Sequence, residues 1–119
     1  MVTYHFSEVD WQGCVPPCQS SDLKDDLLDK LEYARCLCGF SFKINSAFRT
    51  KEYELSKGRN GTSAHCLGLA VDIACYDDEK RLLLVQNLLR AGFTRIGIGS
   101  TFVHADADKT RRPSMWTYY

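Results

Sequence analysis

The chain has 119 residues, 45% of them hydrophobic, which suits one globular domain with a single core. Its 15 basic and 15 acidic residues cancel, so the basic excess expected of a nucleic-acid binder is missing. No apolar run approaches the roughly 18 residues of a membrane span, and Met1 to Asp10 lacks the basic and apolar parts of a secretory signal. The expectation is one domain over 1–119, monomeric, made in the cytoplasm, with neither nucleic acid nor membrane as partner.

Residues 2–12, with Tyr4, Phe6, Val9 and Trp11, read as an extended lead-in, and Gly13 to Ser20, with Pro16-Pro17, as a loop. Ser21 or Asp22 then caps a helix whose stripe of Leu23, Leu27, Leu28, Leu31, Ala34 and Leu37 faces the core, with Gly39 as its stop. Phe40 to Phe48 alternates around Phe42, Ile44 and Ser46 and predicts a strand ending at Arg49. Thr50 to Ser56 suits a short helix, and Lys57 to Thr62 a glycine-containing turn. After Gly68, Leu69, Val71 and Ile73 alternate with Ala70, Asp72 and Ala74, the period-two pattern of a half-buried strand. Asp77-Asp78 caps a second helix with Leu82, Val85, Leu88 and Leu89 inward and Gly92 as its stop. Phe93 to Gly99 and Thr101 to Ala107 predict a hairpin turning at Gly99-Ser100; a polar loop from Asp108 to Pro113 and an apolar segment, Met115 to Tyr118, follow. The fold class is α+β, a small antiparallel sheet with flanking helices.

Six cysteines fall as Cys14 and Cys18, Cys36 and Cys38, and Cys66 and Cys75. Without an export signal, reduced thiols are the expectation. The spacings C-x3-C and C-x-C are looser than the C-x2-C pairs of a strong zinc knuckle.

The chemistry concentrates between Ser63 and Ile73. His65 and Asp72 stand either side of the glycine turn, and Asp72 lies on the strand face otherwise made of alanines. A carboxylate placed there needs a cation or a hydrogen-bond network. His65 can fold back to meet it, and His104, in Phe102-Val103-His104-Ala105-Asp106, supplies a third ligand. Two His and one carboxylate with an open position describe a catalytic zinc site. Zinc so held lowers the pKa of bound water toward about 7 and polarises a carbonyl, the two effects that peptide hydrolysis needs. Asp106, two residues beyond His104 on a strand, shares its face. It is placed either to act as the base or to orient a ligand from behind.

The pattern S-x-H-x-x-G-x-A-x-D, followed by an apolar-V-H-x-D segment, resembles the zinc D-Ala-D-Ala carboxypeptidase family. That family shares its fold with the vancomycin-resistance D-Ala-D-Ala dipeptidases, the L-alanyl-D-glutamate endolysins and the Hedgehog domain. The resemblance runs from about Phe6 to Trp116. It implies a zinc-dependent peptidoglycan peptidase, a D-Ala-D-Ala carboxypeptidase or cell-wall endopeptidase using zinc-activated water. Its partner would be a stem peptide or another D-Ala-D-Ala-containing peptide, reached at the cell wall, with phage-encoded lysis as a means of delivery.

Arg49, in Ser46-Ala47-Phe48-Arg49, matches the family's S-G-Y-R segment, with Ala47 for glycine and Phe48 for tyrosine. A guanidinium at a strand end suits a developing oxyanion or a terminal carboxylate; a surface Arg paired with Glu52 or Glu54 is the plainer alternative. Ser46 and Ser63 are expected to support the substrate cleft, and Trp116 matches the tryptophan that follows the His-x-Asp segment. One departure bears on mechanism. Relatives carry an acid three positions before the second His, or a His two before; here those positions hold Thr101 and Phe102. Asp106 is then the expected proton shuttle, and a Hedgehog-like zinc module with little or no hydrolysis is the alternative.

Overall fold

In the computed structural model, which describes residues 4–119, the chain opens with a helix. The Asp10 carboxylate accepts the Ser7 backbone N–H at 2.8 Å and starts α1 (Glu8–Gln12). The expected extended lead-in is therefore helical from Glu8 onward and bends at Tyr4 and His5, and its residues 2 and 3 lie outside the described residues. Ser20–Asp22 forms a 3-10 turn, and α2 (Asp25–Cys38) begins three residues after it. Leu23 is thus outside the helix it was expected to join, yet it is buried all the same. Gly39 ends α2 in the left-handed conformation, φ 75°, as its position predicts.

The expected strand over residues 40–48 contracts to β1 (Ile44–Ser46), followed by α3 (Lys51–Ser56), whose first turn is capped by Thr50 Oγ1. A second 3-10 turn, Ala64–Leu67, carries His65 and ends at Gly68. Gly68 has φ 71°, and a Cβ there would sit 2.5 Å from the Asp22 carbonyl oxygen. The chain can take this corner only as glycine. It delivers β2 (Ala70–Ala74), after which Asp77 caps α4 (Asp78–Arg90) by accepting the Lys80 N–H. The hairpin β3 (Arg95–Ile98) and β4 (Phe102–Asp106) follows, and the final apolar segment forms β5 (Ser114–Thr117).

The five strands pair in the order β1-β2-β4-β3-β5. Every pairing is antiparallel except β3 with β5, which is parallel. One face carries Ile44, Val71, Ile73, Ile96, Val103 and Ala105, in a core with Leu27, Leu28 and Leu31 of α2 and Leu84 and Leu88 of α4. On α4, Leu88 is buried and Val85 packs on the core as expected, but Leu84 is buried in place of Leu82 and Leu89, which are 70% and 47% exposed. The run Leu82-Leu83-Leu84 offers three phases to a helix, and packing against α2 selects the one that places Leu84 and Leu88 four residues apart. No helix is long and apolar enough to cross a membrane among the described residues.

Burial of each core leucine stabilises the fold by about 1.5–3 kcal/mol. Leu31, wholly buried between α2 and the sheet, tests whether this core supports the opposite face. Leu31→Ala is expected to lower unfolding free energy by about 2–5 kcal/mol in urea titration, while the metal content of the folded protein stays unchanged.

Candidate metal centre

Strand register lines up one row across the sheet. Ser46 pairs with Asp72, Asp72 with His104, His104 with Gly97, and Gly97 with Trp116. Because side chains alternate, Asp72, His104, Gly97 and Trp116 share the face opposite the core, and the register shift between Ile44 and Ser46 brings Ser46 to that face as well. Asp72 and His104 are direct cross-strand neighbours, and His104 Nδ1 lies 3.0 Å from Asp72 Oδ1. His65 reaches the same oxygen from the turn before Gly68, with Nε2 at 3.4 Å. The three expected ligands therefore converge, although they come from two strands and a turn.

Both imidazoles are oriented by what lies behind them. His65 Nδ1 donates to the Ala47 carbonyl at 2.6 Å, which turns Nε2 toward Asp72. The Nε2 of His104 is 2.7 Å from Asp106 Oδ2, leaving Nδ1 on the inner side. One donor atom from each of His65, Asp72 and His104 lies within 4.8 Å of the others, and no fourth His, Cys, Asp or Glu joins the group among the described residues. Two imidazoles and a carboxylate, each imidazole held from its far nitrogen, fit a zinc ion with a position left open. Cys66, the neighbour of His65, is not part of the set.

The electrostatics agree with a cation site. Burial works to raise the Asp72 pKa, but hydrogen bonds from His104 and His65 outweigh it and hold the carboxyl well below its ordinary range. Burial works the other way on His104, and its bonds to Asp106 and Asp72 override that and push its pKa up. Asp106, 2% exposed, is also opposed by burial but kept low by His104, the Asp108 N–H and Arg95. Its Oδ1 accepts the Asp108 N–H at 3.1 Å and meets Arg95 Nε at 3.2 Å. Both oxygens are thus already engaged.

Arg49 is held in three directions: Nε donates to Ser46 Oγ at 2.9 Å, one terminal nitrogen to Glu54 at 3.3 Å, and the other to Asp72 Oδ2 at 3.0 Å. Ser46 is buried beneath it, a support for the guanidinium. Ser63 Oγ donates to Glu54 at 3.1 Å from the cavity wall. Glu54, only 1% exposed, also receives Arg59. Burial opposes its ionisation, yet Arg59, Arg49 and Ser63 keep its pKa low. Sequence reasoning missed this buried hub. Glu54 figured only as a surface partner for Arg49, and nothing in the polar run of α3 marks it as inward.

Trp116 forms the far wall. Its ring lies 5.5 Å from that of His104 and carries the Arg95 guanidinium at 4.8 Å. Gly97 makes this possible, since a Cβ there would come within 2.8 Å of the indole. The half-open cavity here, about 340 Å³, is lined by His65, Asp72, His104, Arg49, Glu54 and Trp116 among others. That volume is within the range of small-ligand pockets.

The family model described as peptidase M15 matches residues 5–106 of the chain. Comparison with curated proteins gives no match.

Two outcomes test this geometry. In the metal-free protein the raised pKa of His104 contributes stability that is full below its unfolded value of about 6.5 and is lost as pH rises through the folded one. The depressed carboxylates contribute above about pH 4 and stay constant over this range. A cation needs Nδ1 unprotonated, so from about pH 6 to about pH 8 the metal-free Tm should carry a falling contribution from this group while the increment from added zinc grows. Thermal melts with and without zinc at the two pH values check the opposite signs. Gly97→Ala should push the Trp116 indole off His104, shifting its indole N–H resonance while that of Trp11 stays in place.

Proposed function

The chain belongs to the peptidase M15 family, a family of metallopeptidases, and on that premise we propose that it is a zinc-dependent peptidoglycan peptidase. The bond cut would be a D-Ala-D-Ala or related cell-wall peptide bond, by carboxypeptidase or endopeptidase action. The observation that carries this reading is the convergence of His65, Asp72 and His104 beside a cavity, with no fourth protein donor among the described residues. When bound, zinc would supply a Lewis acid for the scissile carbonyl and an acidified water.

The chain's own residues supply the rest. Asp106 accepts the His104 Nε2–H and so keeps Nδ1 turned to the centre. Of the two roles open to Asp106, this contact supports the positioning one, acting through His104. Arg49 spends three of its five N–H groups on Ser46, Glu54 and Asp72. The remaining two are available to a substrate carboxylate or to charge developing on the carbonyl oxygen. Glu54 fixes that guanidinium from below. Arg59, Arg95 and Arg111 also line the cavity, which suits an acidic stem peptide. Trp116 walls off water beside His104.

A second reading, a Hedgehog-like zinc binding module, draws on a specific feature. Thr101 is exposed in the β3–β4 turn where relatives carry an acid, and the carboxylates of Glu54 and Asp106 are both already paired. Muropeptide digestion followed by mass spectrometry separates the two. Zinc-loaded wild type should release a cleaved stem peptide and His104→Ala should not. Asp106→Asn is expected to weaken zinc binding about 10–100-fold and to regain most of its activity at saturating zinc. An Asp106→Asn protein that holds zinc and stays inactive would return the base role to Asp106. Intact muropeptides after incubation with zinc-loaded wild type would select the binding module.

A further inference from the structure

A second cluster of ligating side chains sits on α2, whose leucines pack on the sheet face opposite the metal centre. Glu32 and Cys36 are four residues apart and so stand one above the other on the helix. His5 meets them from the segment before α1. The Glu32 carboxylate is fixed by two backbone donors, since its Oε1 accepts the N–H of Tyr4 at 2.6 Å and of His5 at 2.8 Å. Its other oxygen pairs with His5 Nδ1. Cys36 Sγ is 3.9 Å from that nitrogen and 3.7 Å from that oxygen. Donors around one tetrahedral zinc, at bond lengths of about 2.0–2.3 Å, stand roughly 3.3–3.8 Å apart.

We propose that His5, Glu32 and Cys36 form a second metal site, for a divalent cation of the zinc class, which clamps the segment before α1 onto α2. Imidazole, carboxylate and thiolate together make a borderline-soft set that suits zinc better than calcium or magnesium. The cation takes the place of the proton shared by His5 and Glu32 and of the Cys36 thiol proton, so binding releases protons to solvent. The side chains are partly open to solvent, at 33% for His5 and 15% for Glu32, which leaves water for a fourth position. The remaining cysteines take no part: Cys14, Cys18, Cys38, Cys66 and Cys75 join no ligand group among the described residues.

Sulfur distinguishes this site from the first, which contains none. The reduced full chain, loaded with Co²⁺, should bind a second equivalent and show a thiolate-to-cobalt charge-transfer band in the near ultraviolet. Cys36→Ser and His5→Ala should each lose the band and the second equivalent while keeping the first. His65→Ala should lose the first equivalent and keep the band. A wild-type protein with a single equivalent and no near-ultraviolet band would overturn the proposal. So would a band that persists in Cys36→Ser or is unchanged in His5→Ala. None of these readouts depends on peptidase activity, so failure here is separable from failure of the functional reading.

Discussion

The Asp72 carboxylate is the group on which the arrangement turns. One of its oxygens is shared by two imidazoles and the other is held by Arg49. A charge placed on a sheet face and largely shielded from water is costly unless paired and hydrogen-bonded. Here three cationic or cation-competent neighbours offset that cost. Each brings its own anchor: the Ala47 carbonyl for His65, Asp106 for His104, and Ser46 with Glu54 for Arg49. Removing Asp72 would leave Arg49 with only part of its compensation and two histidines with nothing to converge upon. The small residues flanking Asp72 on its strand, Ala70 and Ala74, leave room for these partners.

Strand parity keeps the two tasks of the sheet apart. Odd positions of β2 enter the core, and Asp72 on the even side enters the site. A slip of one residue in the β2–β4 pairing would send His104 into the leucines and Val103 into the cavity. The branched residues on the core face therefore specify where the ligands point. Gly97 extends the same logic to the edge: its missing side chain lets the residue one strand further, Trp116, lie beside His104.

Much of this was legible from residue order. The alternation after Gly68, the Asp77 cap and the Gly39 stop are local signals, and they set β2, α4 and the end of α2 where expected. The convergence of His65, Asp72 and His104 was legible because residue types with zinc-like preferences fell in a specific motif. What was hidden depends on contacts between distant segments. The strand β5 is largely exposed, shows no alternation, and exists through parallel pairing with β3. Glu54 looks like any helix-surface acid until Arg49 and Arg59 close over it. The phase of α4 could not be read from consecutive leucines. The start of α1 was masked by the scattered apolar positions Tyr4, Phe6, Val9 and Trp11, and one capping carboxylate sets it.

The three candidate ligands do not hang from equal supports. Asp72 and His104 are locked into one cross-strand pair at the middle of the sheet, whereas His65 belongs to a separate 3-10 turn joined to the sheet through Gly68. Detachment of that turn leaves the paired strands intact, so an ion could depart through a local opening far smaller than global denaturation. Exchange of a cation held by these side chains and loss of the fold would then run on separate clocks. A chelator would sense the free energy of lifting one turn, while heat or urea would sense that of the whole sheet.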